Sequence, residues 1–548
     1  MKIKFCGAAA SVTGSCHLLT TEKYKILLDC GLYQGNKDTE ALNWEPFDFD
    51  PADIDFLILS HSHIDHSGRI PLLVKWGFKG DIFCTDATAD LLEIMLKDSA
   101  YIQEKEAEWQ NRKNLRAGRP PVEPLYTMED AERSLLRVVP VLYDQFYQVA
   151  PGLHIVFNDA GHILGSAIIE LFVEEKDKVS KIVFTGDLGM KDKPILRDPV
   201  IIKKADYLIM EATYGDRVHE TTQNSLERLV DIIIKTLRRG GNVIIPSFAV
   251  GRTQELIFEI NRFYELRPEF KKEMDKVMVY VDSPMATSAT EVFRRNAQAF
   301  DDETREHILK GNNPLDFKNL EFTRTSEQSR ALNMDPAPKI IISASGMCEA
   351  GRIKHHLKHN LWNPKASIVF VGYQAEGTLG RSIVNGDKDV SIFGEKIHIN
   401  AEIHSLEGFS GHADREGLLE WLSGFKEKPK QIFLVHGERE AKENFAKTVK
   451  LALGYDCIPV QAISEYILED GTILTWEEFE DEMTEPMELM RIRERLASIH
   501  NDMETILYNT QLAMSGQISS ARLNEINNVV LELEKTTLNL GSVVTQEE

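Results

Sequence analysis

SHSHIDHSGRIP, residues 60–71, follows the apolar run DFLIL and holds three histidines and one aspartate within six positions. Histidine is scarce in the chain as a whole, at 16 in 548 residues. His61 and His63 alternate along an extended segment, so both side chains point to one side, and Asp65 and His66 follow on the turn. Neutral imidazole and carboxylate are common donors to zinc, and one ion takes roughly three or four of them. The cluster therefore predicts a metal centre and hints at two ions.

Three further candidate ligands lie where apolar strands end. They are His162 in DAGHILGS, Asp187 in FTGDLG and His436 in FLVHGE. Each lies close to a glycine, which lets the backbone approach a site closely. Together with the first cluster they supply seven candidate ligands, and Asp187 is the candidate to bridge two ions.

Composition limits the class of protein. Hydrophobic residues make up 43% and charged residues 27%, as in globular domains, and no apolar run reaches the roughly 18 residues of a membrane helix. The start, MKIKFCGAAASV, faintly imitates a secretion signal, but Thr13-Gly14-Ser15 interrupts it and a first strand is the better interpretation. The six cysteines are scattered without a C-x-x-C pair, which favours a reducing cytoplasm over a disulfide framework. The net charge of −23 argues against a nucleic-acid partner, because such proteins are usually basic.

The strand and helix patterns divide the chain into four predicted segments. Residues 1–207 alternate short apolar strands with glycine turns, and residues 396–476 return to that style. Residues 208–395 repeat a strand, loop and helix order, as in KVMVYVDSPMATSATEVF, which predicts a doubly wound parallel sheet. Residues 477–548 form the fourth segment.

This last segment has apolar residues at alternating spacings of three and four, which predicts two amphipathic helices in a hairpin. The two series are Leu489, Ile492, Leu496, Ile499, Met503 and Ile506, then Leu523, Ile526, Val530 and Leu533. Their seam packs either on the body of the protein or on a second copy, which leaves a homo-oligomer open.

The sequence resembles the metallo-β-lactamase-fold hydrolases, whose H-x-H-x-D-H motif is matched by HSHIDH. The resemblance implies one zinc ion held by His61, His63 and His162, and a second held by Asp65, His66 and His436. It also implies that Asp187 bridges the two ions. Asp29 of LLDCG is then expected to orient a ligand histidine rather than bind metal.

Further motifs narrow the resemblance to the β-CASP branch, whose members cut RNA or DNA. MEATYGDR supplies Glu211 as the motif A acid, and GFSGHAD supplies His412 as the motif B histidine, 24 residues before His436 in motif C. IPSFAVGRTQE and the SASGM…GR loop also fit. The chain thus resembles bacterial and archaeal ribonucleases and the nuclease subunit that cleaves messenger-RNA precursors. The implied fold is an α/β metallo-β-lactamase αββα sandwich (1–207 and 396–476) with an inserted β-CASP domain (208–395) and a C-terminal helical extension (477–548).

The expected activity is a zinc-dependent ribonuclease that cuts internally, with 5′ exonuclease action left open. Two Zn²⁺ ions, with Mn²⁺ left open, would hold and activate a hydroxide between them. Asp65 and Asp187 are counted among the catalytic residues with Glu211, and His412 would act as general acid. Glu211 would hold the His412 ring and raise its pKa. Single-stranded RNA is the expected partner, with DNA not excluded, and no membrane is expected. The alternatives are a small-molecule hydrolase on the same fold, acting on a lactam or thioester, and a noncatalytic scaffold subunit of an RNA-processing complex.

Substrate contacts are expected in the middle segment. Strand KIIISA precedes a predicted helix start near Gly351, and helix N-termini bind anions. The arginines there can also pair with acids, and the pair Tyr373-Gln374 can contact a base or simply pack. The candidates are Ser247, Arg252, Ser345, Gly346, Arg352, Tyr373 and Gln374. The run KHHLKH (residues 354–359) is expected to form a basic rim on a helix without a carboxylate partner.

Overall fold

The computed structural model describes residues 1–468 apart from 10, 177, 221, 373, 375 and 376, together with helical positions between 492 and 540. Contacts divide the chain into two compact units, one of residues 1–305 and 314–483 and one of residues 306–313 and 484–548. The metal-ligand candidates all lie in the first unit.

The described residues form the following strands and α-helices, with six consecutive strands from β6 to β11 and a mostly alternating order of strands and helices from β11 to β16. The strands are β1 (Lys2–Gly7), β2 (Cys16–Thr20), β3 (Lys25–Leu28), β4 (Phe56–Ile58), β5 (Asp81–Thr85), β6 (Val138–Val141), β7 (Tyr147–Ala150), β8 (Leu153–Asp159), β9 (Ala167–Glu175), β10 (Lys178–Phe184), β11 (Tyr207–Glu211), β12 (Val243–Pro246), β13 (Val279–Val281), β14 (Leu320–Phe322), β15 (Ile340–Ser343), β16 (Ser367–Phe370), β17 (Asp389–Ile392), β18 (Glu395–His398), β19 (Glu402–Ser405), β20 (Gln431–Val435), β21 (Cys457–Pro459) and β22 (Ser464–Ile467). The α-helices are α1 (Lys37–Ala41), α2 (Ile64–Ser67), α3 (Ile70–Lys75), α4 (Asp86–Arg116), α5 (Met128–Leu135), α6 (Thr222–Arg238), α7 (Arg252–Leu266), α8 (Pro268–Met274), α9 (Pro284–Arg295), α10 (Asp302–Leu309), α11 (Ser326–Met334), α12 (Ile353–Asn360), α13 (Leu379–Val384), α14 (Arg415–Ser423) and α15 (Arg439–Leu453).

Two mixed seven-stranded sheets face each other across one apolar core. Their strand orders are β22-β1-β2-β3-β4-β5-β6 and β21-β20-β11-β10-β9-β8-β7. The core between them includes Phe5, Phe157, Phe184 and Phe433, all of them buried. Burying a side chain of this size contributes roughly 1.5–3 kcal/mol, so this layer is a main source of stability.

Helices cover the outer face of each sheet. Leu72 of α3, Leu92 of α4 and Ala131 of α5 belong to one outer core with strand residues of the first sheet. Leu418 of α14 and Phe445 of α15 belong to the other outer core with strand residues of the second sheet. The layers are therefore helix, sheet, sheet and helix, and the predicted αββα sandwich is confirmed.

A third sheet has six strands in the order β14-β13-β15-β12-β16-β19, and every strand pair in it is parallel. Strands such as β12 (VIIP) and β15 (IIIS) are buried throughout, as expected for a parallel sheet covered on both faces. Apolar residues of α6, α7 and α8 pack on one face, and those of α12 and α13 pack on the other. The predicted parallel sheet flanked by helices is confirmed.

Sheet membership differs from two of the predicted segment limits. β11 spans residues 207–211 and pairs with β10 and β20, so it belongs to the sandwich. β19, at residues 402–405, pairs with β16 and so belongs to the parallel sheet. Both differences concern the few residues at a boundary, where the sequence pattern on either side reads as strand.

Strand direction explains where the candidate ligands meet. β10, β11 and β20 are parallel neighbours, and β8 is antiparallel to β9, which is in turn antiparallel to β10. All four strands therefore run in one direction and end at one edge of the second sheet. His162, Asp187, Glu211 and His436 lie at or just beyond those four carboxyl ends.

The second unit is described only in part. Its described positions between 492 and 540 are helical, and several residues of the predicted seam are exposed there: Ile492, Leu496, Ile499, Met503, Ile506, Ile526, Val530 and Leu533. Leu489 and Leu523 lie outside the described residues, so the helical hairpin stays a prediction. Among the described helices, none has the length and apolarity that crossing a bilayer requires.

Candidate metal centre

Four predicted ligands form one compact group. In His61, His63, His162 and Asp187, one ligand atom of each residue lies within 4.8 Å of the others. The Nδ1 atom of His63 is 3.1 Å from Nε2 of both His61 and His162. Asp187 Oδ2 is 3.5 Å from each of those Nε2 atoms. Three imidazole nitrogens and one carboxylate oxygen thus converge on one point.

A second group adjoins the first through the same aspartate. Asp65, His66 and His436 also bring ligand atoms within 4.8 Å of one another. The Nε2 atoms of His66 and His436 are 3.1 Å apart, and His436 Nε2 is 3.4 Å from Asp65 Oδ2. Asp187 Oδ2 lies 3.2 Å from His66 Nε2, and Asp187 Oδ1 lies 3.6 Å from His436 Nδ1. Asp187 therefore stands between the groups, where a bridging ligand would be.

The donor set fits metal ions. Burial holds the pKa of His61 and of His162 well below the usual range and lowers that of His63 to about 4. These rings are therefore neutral, which is the state that binds metal. Asp187 Oδ1 is buried and lacks a hydrogen-bond partner among the described residues. A buried oxygen without a partner is costly unless a cation satisfies it.

Asp29 holds the His66 ring by a hydrogen bond with the ring nitrogen that faces away from the candidate metal site. Its Oδ2 accepts from His66 Nδ1 at 2.7 Å and from the hydroxyls of Ser15 and Ser60 at 3.0 Å each. Its Oδ1 accepts from the Ser60 amide at 2.8 Å. Burial opposes a charge on His66, yet Asp187 and Asp29 raise its pKa well above the ordinary value. The carboxylate thus fixes the proton on Nδ1 and turns Nε2 toward the centre, the position expected for an orienting residue.

Two more rings are oriented by groups that the sequence analysis did not select. The backbone carbonyl of Gly411 accepts from His162 Nδ1 at 3.0 Å. The Thr213 hydroxyl lies 3.1 Å from His436 Nδ1 and 2.9 Å from the His436 carbonyl oxygen. Thr213 follows Glu211 by two residues in MEATYGDR, and that spacing could have indicated it. A backbone carbonyl has no such signal in a sequence.

Glycine at two positions allows the loops to approach. A Cβ on Gly31 would lie 1.6 Å from the carbonyl oxygen of Asp65, and a Cβ on Gly186 would lie 2.6 Å from Cβ of Ser60. Gly186 also has a φ of +51°, a conformation that glycine adopts most easily. Any larger residue would push apart the segments that carry the ligands.

Buried Glu211 and partly exposed His412 form an acid–histidine pair beside Asp187. His412 Nδ1 is 3.1 Å from both carboxylate oxygens of Glu211 and 3.9 Å from Asp187 Oδ2. The Leu188 amide and the Thr213 hydroxyl also donate to Glu211, at 2.6 and 2.5 Å. Burial opposes charge on His412, but Glu211 and Asp187 raise its pKa to about 9. The ring is therefore a protonated imidazolium at neutral pH.

Arg252 lies close to this centre. A Cβ built on Gly411 would be 3.2 Å from His162 Cε1 and 3.9 Å from Arg252 Nη2, so the guanidinium and the ligand ring flank one glycine. Arg252 forms an ion pair with Glu255, whose other oxygen accepts from Lys193 Nζ at 3.1 Å. Ser247 is buried beside this segment, and its hydroxyl accepts from Thr253 at 3.1 Å.

The other predicted substrate residues lie in the parallel-sheet domain. Arg352 donates to Asp282 Oδ1 at 2.7 Å and to the carbonyl of Arg324 at 3.0 Å, so it pairs with an acid. The amide of Gln374 donates to the carbonyls of Gly346 and Gly372, at 3.1 Å each. Ser345 lies with Gly346 in the loop after β15. Tyr373 lies outside the described residues.

The expectation for KHHLKH was wrong at its centre. His356 is buried, and its Nε2 lies 2.6 Å from Asp282 Oδ2, while Nδ1 lies 2.9 Å from Asn333 Oδ1. The carboxylate partner comes from the end of β13, 74 residues earlier in the chain. The fold therefore brings Asp282 to His356, although no acid lies next to His356 in the sequence.

Comparisons with known proteins agree with this architecture. Three family models match: a metallo-beta-lactamase superfamily domain over residues 18–204, a Beta-Casp domain over residues 253–383, and a Zn-dependent metallo-hydrolase RNA specificity domain over residues 396–460. Ribonuclease TTHA0252 of Thermus thermophilus is 39% identical over 440 residues, which cover 80% of this chain and 94% of the relative. Transcription termination factor FttA of Methanocaldococcus jannaschii is 32% identical over 462 residues, 82% of this chain and 69% of the relative.

The FttA protein of Pyrococcus abyssi is 30% identical over 478 residues, 83% of this chain and 69% of the relative. The likeness thus extends through the sandwich and the inserted sheet. By these matches, the chain belongs to the β-CASP family of metallo-β-lactamase-fold metal-dependent hydrolases.

Proposed function

We propose that this protein is a zinc-dependent ribonuclease that hydrolyses phosphodiester bonds within single-stranded RNA. One observation carries the proposal: a seven-residue donor cluster lies directly beside a protonated histidine that is paired with a buried glutamate. A phosphodiester needs both an activated nucleophile and a proton for the leaving oxygen, and this arrangement offers sites for both. The relative from Thermus thermophilus is named a ribonuclease, which supports RNA as the substrate.

We assign two Zn²⁺ ions to the cluster. His61, His63 and His162 would hold one ion, Asp65, His66 and His436 would hold the other, and Asp187 would bridge them. When bound, such ions supply Lewis-acid chemistry that lowers the pKa of water and stabilises charge on the phosphate. The excess of imidazole nitrogen over oxygen donors favours zinc over manganese.

His412 is the proposed proton donor. Glu211 accepts from its Nδ1, so the opposite nitrogen, Nε2, is the one that can face the leaving oxygen. Glu211 also favours the charged form of the ring, because burial opposes charge on His412 and the Glu211 carboxylate raises its pKa. Glu211 thus positions the acid and keeps it protonated.

Arg252 is the proposed phosphate contact. Its guanidinium carries a full charge close to the ligand His162, and Glu255 orients it. We propose that the loop of Ser345 and Gly346 adds backbone amides, and that Arg352 and Gln374 hold this loop in shape through their bonds to Asp282 and to Gly346. Ser247 would support the Arg252 segment, and Tyr373 stays a prediction as a base contact.

Three further proposals concern the domain limits, the cellular location and self-association. The domains are the four predicted segments, with the inserted domain limited by β11 and β19. All six cysteines are free thiols, which supports a cytoplasmic location. The exposed seam of the second unit supports self-association, which light scattering of the full chain and of a chain ending at residue 476 would test.

The deciding experiment measures metal and cleavage together. The purified protein is analysed for zinc and manganese, then incubated with 5′- and 3′-labelled single-stranded RNA, the matching DNA and a chromogenic lactam, each with and without chelator. We expect about two zinc ions per chain and chelator-sensitive internal cuts in RNA. Lactam turnover without RNA cleavage would refute the proposal, and 5′-end trimming would show the exonuclease mode.

A further inference from the structure

Helix α4 is a long rod that starts at the candidate site. Thr85 and Thr88, at its first turn, both donate to the carbonyl oxygen of Gly165 at 2.7 Å, and Gly165 follows the ligand His162 by three residues. The helix then runs for 31 residues to Arg116. At 1.5 Å per residue, Tyr101 lies about 20 Å and Arg116 about 42 Å along the axis from Thr88.

One face of the distal half combines aromatic rings with cations. Tyr101 and Trp109 are each 53% exposed. Their helical spacing places them on one stripe with Lys105, Arg112 and Arg116, all exposed. The opposite face is buried, with Leu92, Leu96, Ala100, Ala107 and Asn114 turned inward. The exposed stripe is therefore the outer side of a well-anchored helix.

The cations already lie over the rings. Lys113 Nζ is 3.1 Å from the centroid of Trp109. Lys105 Nζ is 5.7 Å from the centroid of Tyr101 and pairs with Glu108 Oε1 at 2.8 Å. Asn111 exchanges two hydrogen bonds with the backbone of Val122, at 2.9 and 2.7 Å. The two bonds of Asn111 tie the far end of the helix to the segment at Val122.

The local charge is opposite to that of the whole chain. Residues 105–119 hold five basic and two acidic residues, a net charge of +3, in a chain of net charge −23. From Trp109 to Arg119 there are four arginines and lysines and no acid. Aromatic rings among cations are the combination that binds single-stranded nucleic acid, because bases stack and phosphates pair with the charges.

We propose that this stripe, Tyr101, Lys105, Trp109, Arg112 and Arg116 of α4, is an exosite for single-stranded RNA that holds the strand leading to the metal centre. The inference rests on the proposed ribonuclease function and adds to it a length requirement. At about 3.4 Å per stacked nucleotide, four nucleotides cover roughly 14 Å and do not reach Tyr101, whereas 16 cover roughly 54 Å and pass Arg116.

Steady-state cleavage by the zinc-loaded full chain tests the exosite. The substrates are single-stranded oligonucleotides of about 4 and about 16 nucleotides, within the range of single-strand site sizes. The variants are Tyr101→Ala/Trp109→Ala and Arg112→Gln/Arg116→Gln. The controls are Trp362→Ala, an exposed tryptophan of the parallel-sheet domain (56% exposed), and Lys271→Gln/Lys272→Gln on α8.

We expect the aromatic variant to raise the KM of the long strand about 30-fold, if each ring contributes the lowest stacking value, with kcat unchanged. The arginine variant should reduce the salt slope of log(1/KM) by about 1.4, because each lost phosphate contact on single strands contributes about 0.7. Cleavage of the short strand, and both controls, should match the wild type.

Other outcomes overturn the exosite. Unchanged KM for the long strand, or an equal loss for short and long strands, would show that the stripe does not hold RNA. A variant that cleaves normally but changes the sedimentation of the protein would identify a protein contact instead. A wild-type protein that cleaves neither strand would refute the ribonuclease proposal, and the exosite with it.

Discussion

Replacing Asp29 by asparagine should weaken metal binding while leaving the fold intact. Asn has nearly the same shape, and it tolerates the left-handed backbone that residue 29 adopts at a φ of +59°. Only the charge and one acceptor change. The side chain is fully buried, so no solvent can replace what is lost.

Both orientations of the new amide conflict with its neighbours. With the nitrogen in place of Oδ2, it faces His66 Nδ1 at 2.7 Å and forces the ring proton onto Nε2, the nitrogen that lies 3.2 Å from Asp187. With the nitrogen in place of Oδ1, it faces the Ser60 amide at 2.8 Å, and two donors meet. A buried donor without a partner costs about 1–3 kcal/mol. Metal affinity should therefore fall about 10- to 100-fold, the usual loss for such orienting groups.

Competition against a chromophoric chelator measures the affinity, with metal content checked by elemental analysis. Asp53→Asn is the matched control, because Asp53 is exposed and pairs with Lys25 at the surface. Thermal melting of the metal-free proteins separates folding from binding. An affinity for zinc within about twofold of wild type, which is less than the range expected above, would refute the idea that Asp29 sets the proton of His66.

Three more predictions follow from the site and the core. His412→Ala should lower turnover by about 100-fold or more, as loss of a general acid does, while bound zinc stays at the wild-type level; equal loss of zinc would make His412 a ligand. Glu211→Gln removes the charge that raises the pKa of His412, so the alkaline limb of the pH–rate profile should move to lower pH; an unmoved limb would exclude His412 as the titrating acid. His17 is buried between Phe5 and Phe184, and burial lowers its pKa from 6.5 to about 3. Between pH 6.5 and 3, His17 is therefore protonated in the unfolded chain but neutral in the folded chain. The free energy of unfolding falls as the pH drops through this window. At pH 5 the loss is roughly 2 kcal/mol, at about 1.36 kcal/mol per unit. His17→Leu should stabilise the protein by that amount more at pH 5 than at pH 8 in urea titrations, and equal effects at both values would contradict the depressed pKa.

The convergence of the candidate ligands could be predicted from the sequence, because four of them are close together in the chain. HSHIDH places four donors on one strand end and turn, and the other three follow apolar strands next to glycines, where parallel strands bring their carboxyl ends together. The contacts that orient the candidate ligand rings could not be predicted in the same way. The Gly411 carbonyl that orients His162 is a backbone atom, which every residue has, and Thr213 is one of many threonines.

Long-range pairing explains the other misses. His356 and Asp282 are distant in the chain, and only the parallel order of β13 and β15 brings α12 above the end of β13. Arg352 is bound by the same aspartate, so a cation that looked available for phosphate is paired inside the domain. The limits of the inserted domain depended on which sheet β11 and β19 join, and strand composition does not encode the choice of partner.

The pairing of β11 with β20 has a consequence for synthesis on the ribosome. Strand β11 (residues 207–211) cannot pair with β20 until residues 431–435 have been translated, which happens after the entire inserted domain has been made. His412 and His436 are therefore the last groups of the candidate site to be made, whereas His61, His63, Asp65, His66, His162 and Asp187 are made early. A nascent chain can gather six of the seven donors, but it lacks His436 of the second ion's proposed ligand set and His412, the proposed proton donor. The order of translation thus leaves the candidate site incomplete until the inserted domain and residues 412–436 have been made.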